Sequence, residues 1–386
     1  MSDWDMREEV LERFLLGFEG TSLPEWLAGL LSAGLAGVAI YPRNYENPEA
    51  LRVLTGAIRN AAGRPVLIGT DQEGGTRFAL PPPFTQWPSP AELAQLDARA
   101  SDGSPASHAT ARPSENFTEQ VASAIARELC AVGVNLDFAP MLDLATNPAS
   151  LVTTGRSFGA DPQRVARLGV AFLRGLDGEG VLGCAKHFPG HGDTDIDPHF
   201  DLPRFEGTRE RLARHELAPF AAAIEAGAPL VMTAHILLPH VDPNRPASIS
   251  HRVLEGMLRR ELNFGGVILA DDLGMGALAR RYGHAESAVK TLEAGTDIAM
   301  LCHSDSSLDH SAPGRDLQPV RVAIEAVAES AEGGRFDPAQ WAAGRARIAR
   351  LREQIRVTAR TALPLEVIGC AEHVHLAEEI RARLEQ

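Results

Sequence analysis

The stretch VLGCAKHFPGHGDTDIDPHFDLP spans residues 181–203 and shows the unit from which the chain is built. It begins with an apolar run, which predicts a buried strand that ends at Lys186. The prolines and glycines that follow exclude a regular helix or a central strand. This loop also carries three histidines and four aspartates. A polar loop directly after a buried strand is a typical place for catalytic groups.

Short apolar runs of the same kind recur along the whole chain, and patterns typical of helices separate them. Continuous apolar runs suit strands that are buried on both faces of a parallel sheet. Eight such strands in alternation with helices predict an α/β fold, a (β/α)8 barrel of the TIM type. A doubly wound open sheet is the alternative. The predicted strands are residues 14–18, 37–41, 66–70, 134–138, 182–186, 230–234, 267–270 and 297–301.

The spacers between the strands predict amphipathic helices, and one spacer departs from the pattern. Residues 81–116 are rich in proline, serine and alanine, and no strand is expected there. Their middle, residues 98–113, is interpreted as a solvated loop. We expect one domain, with a catalytic barrel over residues 1–310 and a helical extension over residues 311–386 packed on it. The predicted helices are residues 26–33, 48–61, 118–132, 161–179, 209–226, 250–262, 285–294, 339–357 and 371–385.

The composition limits the kinds of molecule that this protein is expected to bind. A formal net charge of -14 disfavours nucleic acid and anionic membrane surfaces, because both require a basic patch. The N-terminal residues include no apolar signal segment, and no apolar run approaches the ~18 residues of a membrane span. The four cysteines form no CxxC motif and are expected to be free thiols. A cytoplasmic monomer without a cofactor or metal is therefore expected.

Ionisable residues stand directly after several predicted strands. In a parallel barrel the carboxyl ends of the strands meet at one face, where active sites form. Asp137 and Asp143 are interpreted differently, as residues that bind neighbouring backbone N–H groups and hold loops in place. The residues that follow strands are Asp71, Lys186, His187, His235, Asp271 and Asp272.

A metal site is one chemistry that the histidine-rich loop allows. His187 and His191 have the i, i+4 spacing of a zinc-binding helix. That spacing brings two rings together only on a helix, and Pro189 and Gly190 interrupt any helix there. The metal hypothesis is therefore the weaker one. Its four candidate ligands are His187, His191, Asp193 and His199.

Glycoside hydrolysis is the second chemistry, and it needs a carboxylate nucleophile and a proton donor on opposite sides of the anomeric carbon. Asp271 can be the nucleophile. His199 can donate the proton if a carboxylate orients its ring and raises its pKa. Asp197 lies two residues before His199 and can supply that carboxylate.

The loop motifs resemble the signature of the β-N-acetylglucosaminidases of glycoside hydrolase family 3. The resemblance rests on KHFPGHGDT (186–194), on the spacing of Asp197 and His199, and on DLP (201–203). It extends in order from about residue 14 to residue 301. The other matching segments are FLLGFEGT (14–21), DQEGG (71–75), NLDFAP (135–140), GRSFG (155–159), VMTAHI (231–236) and DDLGM (271–275).

The resemblance implies a (β/α)8 barrel and a retaining double displacement. Asp271 would be the nucleophile, His199 the acid/base and Asp197 its partner, while Asp272 would be a structural neighbour. The expected substrates are fragments of cell-wall muropeptides. The family's stretch after EGG is two residues shorter here, and we align its second arginine with Arg77. The residues implied to bind the hydroxyls of the sugar are Asp71, Arg77, Arg156, Lys186 and His187.

Three other functions stay open at this stage. A histidine is uncharged after it gives up its proton and would not repel phosphate, so a phosphorylase could use the same site. A non-catalytic sugar-binding descendant and a metal-dependent hydrolase are the other two. The chain also departs from the family pattern at Pro198, where a serine is usual, and this difference bears on how the acid/base loop is held.

Overall fold

The computed structural model describes residues 8–75, 77–78, 80–100, 113–194, 196–198, 201–302, 317–358 and 363–386. Its centre is a closed barrel of eight parallel strands in the order β1-β2-β3-β6-β7-β8-β11-β12. Each of the eight predicted apolar runs overlaps one barrel strand, so the predicted barrel is confirmed, although two of the strands, Leu182–Phe188 and Val267–Asp272, extend past their predicted ends. The barrel strands are β1 (Phe14–Leu16), β2 (Gly37–Ala39), β3 (Leu67–Thr70), β6 (Leu136–Asp137), β7 (Leu182–Phe188), β8 (Leu230–Thr233), β11 (Val267–Asp272) and β12 (Ile298–Leu301).

Two short antiparallel pairs stand outside the barrel. The first, β4 (Gln72–Gly74) with β5 (Arg77–Phe78), follows β3 directly. The second joins β9 (Leu237–Leu238) to β10 (Asp242–Pro246) after β8. Both pairs therefore lie beyond the carboxyl ends of barrel strands.

Strand β7 is longer than the sequence predicted. It continues past Lys186 to Phe188, which pairs with Thr233 of β8 after a shift in register. The Phe188 carbonyl accepts a hydrogen bond of 2.7 Å from the Ala234 N–H. The prediction that the strand ends at Lys186 was wrong because this pairing depends on a partner far along the chain. Lys186 and His187 consequently lie within the strand.

The helices surround the barrel, and two of them, α1 (Glu8–Leu11) and α4 (Pro90–Ala100), were not predicted. Residues 81–116 contain no strand in their described part, as expected, but they contain helix α4. The solvated loop predicted over residues 98–113 lies largely outside the described residues. The helices are α1 (Glu8–Leu11), α2 (Glu25–Ala33), α3 (Pro48–Ala62), α4 (Pro90–Ala100), α5 (Pro113–Ala131), α6 (Pro162–Gly178), α7 (Arg209–Arg214), α8 (Leu217–Glu225), α9 (Gly276–Glu293), α10 (Leu317–Glu332), α11 (Pro338–Thr358) and α12 (Ala371–Glu385).

Local chemistry explains several helix boundaries. Helix α3 begins after Asn47, whose side chain accepts the Ala50 N–H, and ends at Gly63 in the left-handed region. The single helix predicted over residues 209–226 is divided into α7 and α8 at His215 and Glu216. Residues Arg252–Glu261 form a π-helix. No helix among the described residues is long and apolar enough to cross a membrane.

Helix α11 closes the N-terminal end of the barrel. Its residues Ile348, Leu351 and Ile355 are buried in the same apolar cluster as residues at the starts of strands, such as Leu182 and Val267. Full burial of one such side chain stabilises the fold by roughly 1.5–3 kcal/mol. A functional site on the barrel must therefore lie at the opposite end, where the strands finish.

Candidate active site

A row of alternating charges lies at the C-terminal end of the barrel. Lys186 of β7 is 2% exposed, and its Nζ lies 2.5 Å from Asp71 Oδ1 and 2.5 Å from Glu73 Oε1. Burial alone would lower the pKa of Lys186, but the charges of Asp71 and Glu73 raise it above its ordinary value. Lys186 is therefore a fixed cation. Asp71 is the exposed end of the row, with 31% of its side chain accessible.

Arg156 completes the row on the other side of Glu73. Its Nε and Nη2 donate to the two Glu73 oxygens at 2.8 and 2.6 Å, which is a bidentate pair. Burial opposes ionisation of Glu73, but Arg156 and Lys186 hold its pKa well below the usual range. We call Asp71, Lys186, Glu73 and Arg156 the charge row. It brings together three of the predicted sugar-binding residues.

Glu73 was not among the site residues predicted from the sequence. It lies two residues after Asp71, and alternate residues of an extended segment share one face. That spacing was a usable signal. Its partner Arg156, however, lies 83 residues away along the chain, and no local pattern connects the two.

Asp143 positions His187, which is another of the predicted sugar-binding residues. Asp143 is fully buried and its Oδ2 lies 2.7 Å from His187 Nδ1. Its oxygens also accept the backbone N–H groups of His187 and His191 at 3.2 and 2.5 Å. The interpretation of Asp143 as a loop-holding residue is confirmed, and its contact with the His187 ring is additional. Burial would raise the pKa of Asp143, but His187 and His191 lower it below the ordinary value.

An ionised Asp143 fixes the tautomer of His187. A carboxylate only accepts hydrogen bonds, so His187 Nδ1 carries the proton that lies between the two groups. Nε2 of a neutral His187 is then a hydrogen-bond acceptor. The peptide bond between Lys186 and His187 is cis.

His191 is held inside the same loop. Its Nδ1 lies 2.6 Å from Thr194 Oγ1, and its Nε2 is buried without a hydrogen-bond partner among the described residues. Burial lowers the pKa of His191 to about 4, so the ring is neutral at pH 7. Within the described ranges no three histidine, cysteine or acidic side chains form a metal-binding group. His199, one of the four candidate ligands, lies outside those ranges.

Asp271 and Asp272 end strand β11 and have different surroundings. Asp272 is buried, and its Oδ1 accepts the N–H groups of Gly274 and Cys302 at 3.0 and 2.9 Å. Asp271 is half-buried, and its Oδ1 accepts the Asp272 N–H at 2.8 Å. Asp272 therefore holds the turn, while Asp271 keeps access to solvent. His235 is buried, with its Nε2 3.0 Å from the Asp272 carbonyl oxygen.

The acid/base loop is described in part. Asp197 is half-buried, and the Pro198 carbonyl accepts a hydrogen bond of 3.0 Å from the N–H of Ala277 in the first turn of α9. This contact joins the loop to the segment that follows Asp271. His199 lies outside the described residues, and so does the Arg77 side chain. The roles predicted for both stay predictions.

Asp137 lies deeper in the barrel. It is fully buried and its Oδ1 accepts the Gln72 N–H at 2.9 Å, in agreement with its predicted loop-holding role. Burial raises the pKa of Asp137 to about 8, although the Gln72 hydrogen bond and Lys186 act in the opposite direction. The carboxyl group is therefore mostly protonated at neutral pH.

Comparison with known proteins relates this geometry to a family. Residues 22–351 match the glycosyl hydrolase family 3 N terminal domain. Beta-hexosaminidase A of Pseudoalteromonas piscicida is 31% identical over 380 residues, which cover 93% of this chain and 60% of that protein. A beta-hexosaminidase of Nitrosomonas eutropha is 36% identical over 297 residues, which cover 76% of this chain and 82% of that protein.

A solved structure of a glycoside hydrolase family 3 enzyme is also similar to this chain. The glycoside hydrolase family 3 beta-N-acetylglucosaminidase of Paenibacillus sp. str. FPU-7 superposes with a TM-score of 0.86 and 33% identity. The superposition covers 98% of this chain and 68% of that protein. Because the family match spans most of the chain and includes every strand from β2 to β12, the chain belongs to glycosyl hydrolase family 3 and is a glycoside hydrolase.

Proposed function

We propose that this enzyme is a retaining β-N-acetylglucosaminidase that removes N-acetylglucosamine from the non-reducing end of its substrate. The observation that carries the proposal is that the charge row and Asp271 lie at the same end of the barrel. Asp71 follows β3 directly and Asp271 lies at the end of β11, so both carboxylates stand where the carboxyl ends of the parallel strands meet. The similarity to beta-hexosaminidases supports an N-acetylhexosamine as the sugar.

The charge row suits the recognition of a neutral sugar. Lys186 has three N–H donors, and the contacts with Asp71 and Glu73 engage two of them. The third can donate to a sugar hydroxyl, and the accessible Asp71 carboxylate can accept from one. His187 offers its Nε2 as an acceptor. We assign sugar binding to these three residues together with Arg156 and Arg77.

The proposed reaction proceeds in two displacements. Asp271 attacks the anomeric carbon, and the bond to the leaving group breaks as His199 protonates the glycosidic oxygen. Asp197 orients the ring of His199 and stabilises its charged form. In the second step His199 takes a proton from water, and the water oxygen displaces Asp271. Two inversions give overall retention of configuration.

We propose cell-wall muropeptide fragments as the substrates, which would place the enzyme in the recycling of peptidoglycan. This part rests on the motif resemblance of residues 186–203. A phosphorylase with the same residues is the alternative, because His199 in its neutral form would not repel a phosphate acceptor.

We further propose residues 1–310 as the catalytic barrel and residues 311–386 as an extension packed on it. The burial of Ile348, Leu351 and Ile355 of α11 under the barrel supports the second part. The expected monomeric state and cytoplasmic location stay predictions.

The test is hydrolysis of a chromogenic β-N-acetylglucosaminide, with the matching β-glucoside as a control substrate. EDTA and phosphate are added in separate reactions. Turnover of the first substrate alone, unchanged by EDTA and by phosphate, is expected. Loss of turnover with EDTA would favour the metal hydrolase, and sugar 1-phosphate as the product would identify a phosphorylase. A folded enzyme that hydrolyses neither substrate would contradict the proposal and favour a non-catalytic sugar-binding protein.

A further inference from the structure

Glu128 of helix α5 is a buried carboxylate that connects three distant segments. It is 1% exposed, and it accepts hydrogen bonds from the Thr85 N–H at 3.1 Å and the Thr85 hydroxyl at 2.5 Å. It also accepts the Gly369 N–H at 3.1 Å, and its Oε1 lies 2.8 Å from His373 Nδ1 of α12. A buried carboxylate with four partners gives a rigid junction, because removing it leaves several donors unsatisfied.

The C-terminal part of the chain contacts the segment formed by residues 81–89 at further points. A Cβ on Gly369 would lie 2.4 Å from the Pro83 carbonyl oxygen, so the two backbones are in close contact. The His373 ring lies 5.7 Å from the Trp87 ring, measured between centroids. Arg381 of α12 donates a hydrogen bond to the Gln86 carbonyl. Residues 81–89 are therefore fixed from one side by α12 and by the turn before it.

The other side of residues 81–89 supports the end of the charge row. The Gly75 N–H donates to the Trp87 carbonyl at 3.1 Å. A Cβ on Gly74 would lie 2.6 Å from the Pro88 carbonyl oxygen, so the backbone directly after Glu73 lies against this segment. Both glycines have positive φ, at +90° and +64°, a backbone conformation that residues with a side chain rarely adopt.

We infer from these contacts that Glu128 and His373 are positioning residues for substrate binding. They hold residues 81–89, which hold Gly74 and Gly75, and these in turn hold Glu73 between Lys186 and Arg156. Helix α12, more than 280 residues from Asp71 in the sequence, is thus part of the support of the site. The inference rests on the proposed function, because it takes the charge row to be the sugar-binding part of that site.

The first measurement is steady-state kinetics on the chromogenic β-N-acetylglucosaminide. Glu128→Ala is expected to raise KM about tenfold and to change kcat by less than about twofold, because it displaces binding groups and leaves Asp271 in place. Glu128→Gln keeps one acceptor oxygen and should recover part of the affinity. Thr85→Val removes the single hydroxyl donor, keeps the site packed, and should give a smaller rise in KM. This variant provides the test if Glu128→Ala does not fold.

Glu12→Ala is the matched control. Glu12 is also buried, and it pairs with Arg345 and Arg352 of α11 at the opposite end of the barrel. This variant should lose stability and keep the wild-type KM. An equal rise in KM in the Glu12 and Glu128 variants would overturn the inference, since both would then act through stability alone.

Hydrogen exchange of the folded enzyme separates this inference from the proposed function. The peptide that contains Gly75 should exchange faster in Glu128→Ala than in the wild type, and at the wild-type rate in Glu12→Ala. If the wild type does not hydrolyse the substrate, the proposed function fails, and the exchange rates still test the support of Gly75. Unchanged exchange in Glu128→Ala would overturn the inference whatever the activity.

Discussion

The barrel has a buried ionic cluster at each end, and the two differ in what surrounds them. At the C-terminal end, Glu73 and Lys186 are each 2% exposed, and the row ends at the accessible Asp71. At the N-terminal end, Asp297 is 1% exposed and pairs with Arg259 and Arg347. The two clusters are thus equally buried at their centres, and they differ in their most accessible member, which is Asp71 at 31% in the first cluster and Arg347 at 13% in the second.

The partners of Asp297 are all structural. Its Oδ2 accepts the Ile268 N–H at 2.9 Å, and Arg259 also donates to the carbonyls of Phe264 and Gly266 at 2.8 and 2.6 Å. Arg347 belongs to α11, so this cluster attaches the closing helix to the barrel. The charge row, by contrast, includes the accessible carboxylate of Asp71, which we propose contacts the sugar. Burial and pairing alone therefore do not distinguish the proposed binding cluster from a structural one.

The largest effect is expected at Asp271. Asp271→Ala should lower kcat by about four orders of magnitude, because it removes the nucleophile and leaves the charge row intact. Azide should restore part of the turnover, since a small anion fits the space of the lost carboxylate, and the glycosyl azide should have the opposite anomeric configuration. A variant that keeps more than about a tenth of the wild-type kcat would show that Asp271 is not the nucleophile.

The next effect is on stability alone. Asp297→Ala should lower the free energy of unfolding by about 3–5 kcal/mol, because two arginines and the Ile268 N–H lose their buried partner. Urea denaturation measures the loss. The folded fraction should keep the wild-type KM, and a raised KM would mean that the N-terminal cluster also shapes the site.

Lys186 tests the other cluster. Lys186→Met should raise KM about 10- to 100-fold through the loss of charged hydrogen bonds to the sugar and to Asp71. Its effect on stability should be smaller than that of Asp297→Ala, because Arg156 still pairs with Glu73. Lys290→Met is the control, since Lys290 forms a partly exposed pair with Glu286 and lies outside the charge row. Equal KM values in the two variants would remove Lys186 from the binding site.

The smallest effect concerns Asp137 and depends on pH. The ordinary pKa of this group is 3.8 and burial raises it to about 8, so between these values only the folded protein keeps the proton. Stability from this group is present at low pH and is lost as pH rises towards 8. Because Asn does not ionise, the free energy of unfolding of Asp137→Asn should rise relative to that of the wild type by at most about 1.4 kcal/mol for each pH unit in this range. Urea denaturation at pH 6 and pH 7 measures the change, and an equal difference at both values would contradict the raised pKa.

The strands and the main carboxylates could be predicted because their signals are local. Apolar runs mark all eight barrel strands; Asp71 directly follows β3, and Asp271 directly follows the apolar run of β11. The end of β7 could not be predicted, because it depends on the pairing of Phe188 with Thr233. Helix α4 was missed because its segment is rich in proline, serine and alanine.

The residues that position the site could not be predicted from the sequence either, because their partners also lie far away along the chain. Asp143 contacts a histidine 44 residues away, and Glu128 contacts one 245 residues away. Such pairs form only when the barrel closes, and no spacing rule connects their members. Residue types near strand ends therefore indicated the proposed binding groups, but they gave no sign of the residues that position them.

The most direct test of a double displacement through Asp271 is the configuration of the first product. Proton NMR of the wild-type reaction with an aryl β-N-acetylglucosaminide can follow the anomeric signals before mutarotation. We expect the β-anomer of N-acetylglucosamine to appear first, because two inversions restore the starting configuration. Initial formation of the α-anomer would contradict it, since water would then have attacked the substrate directly.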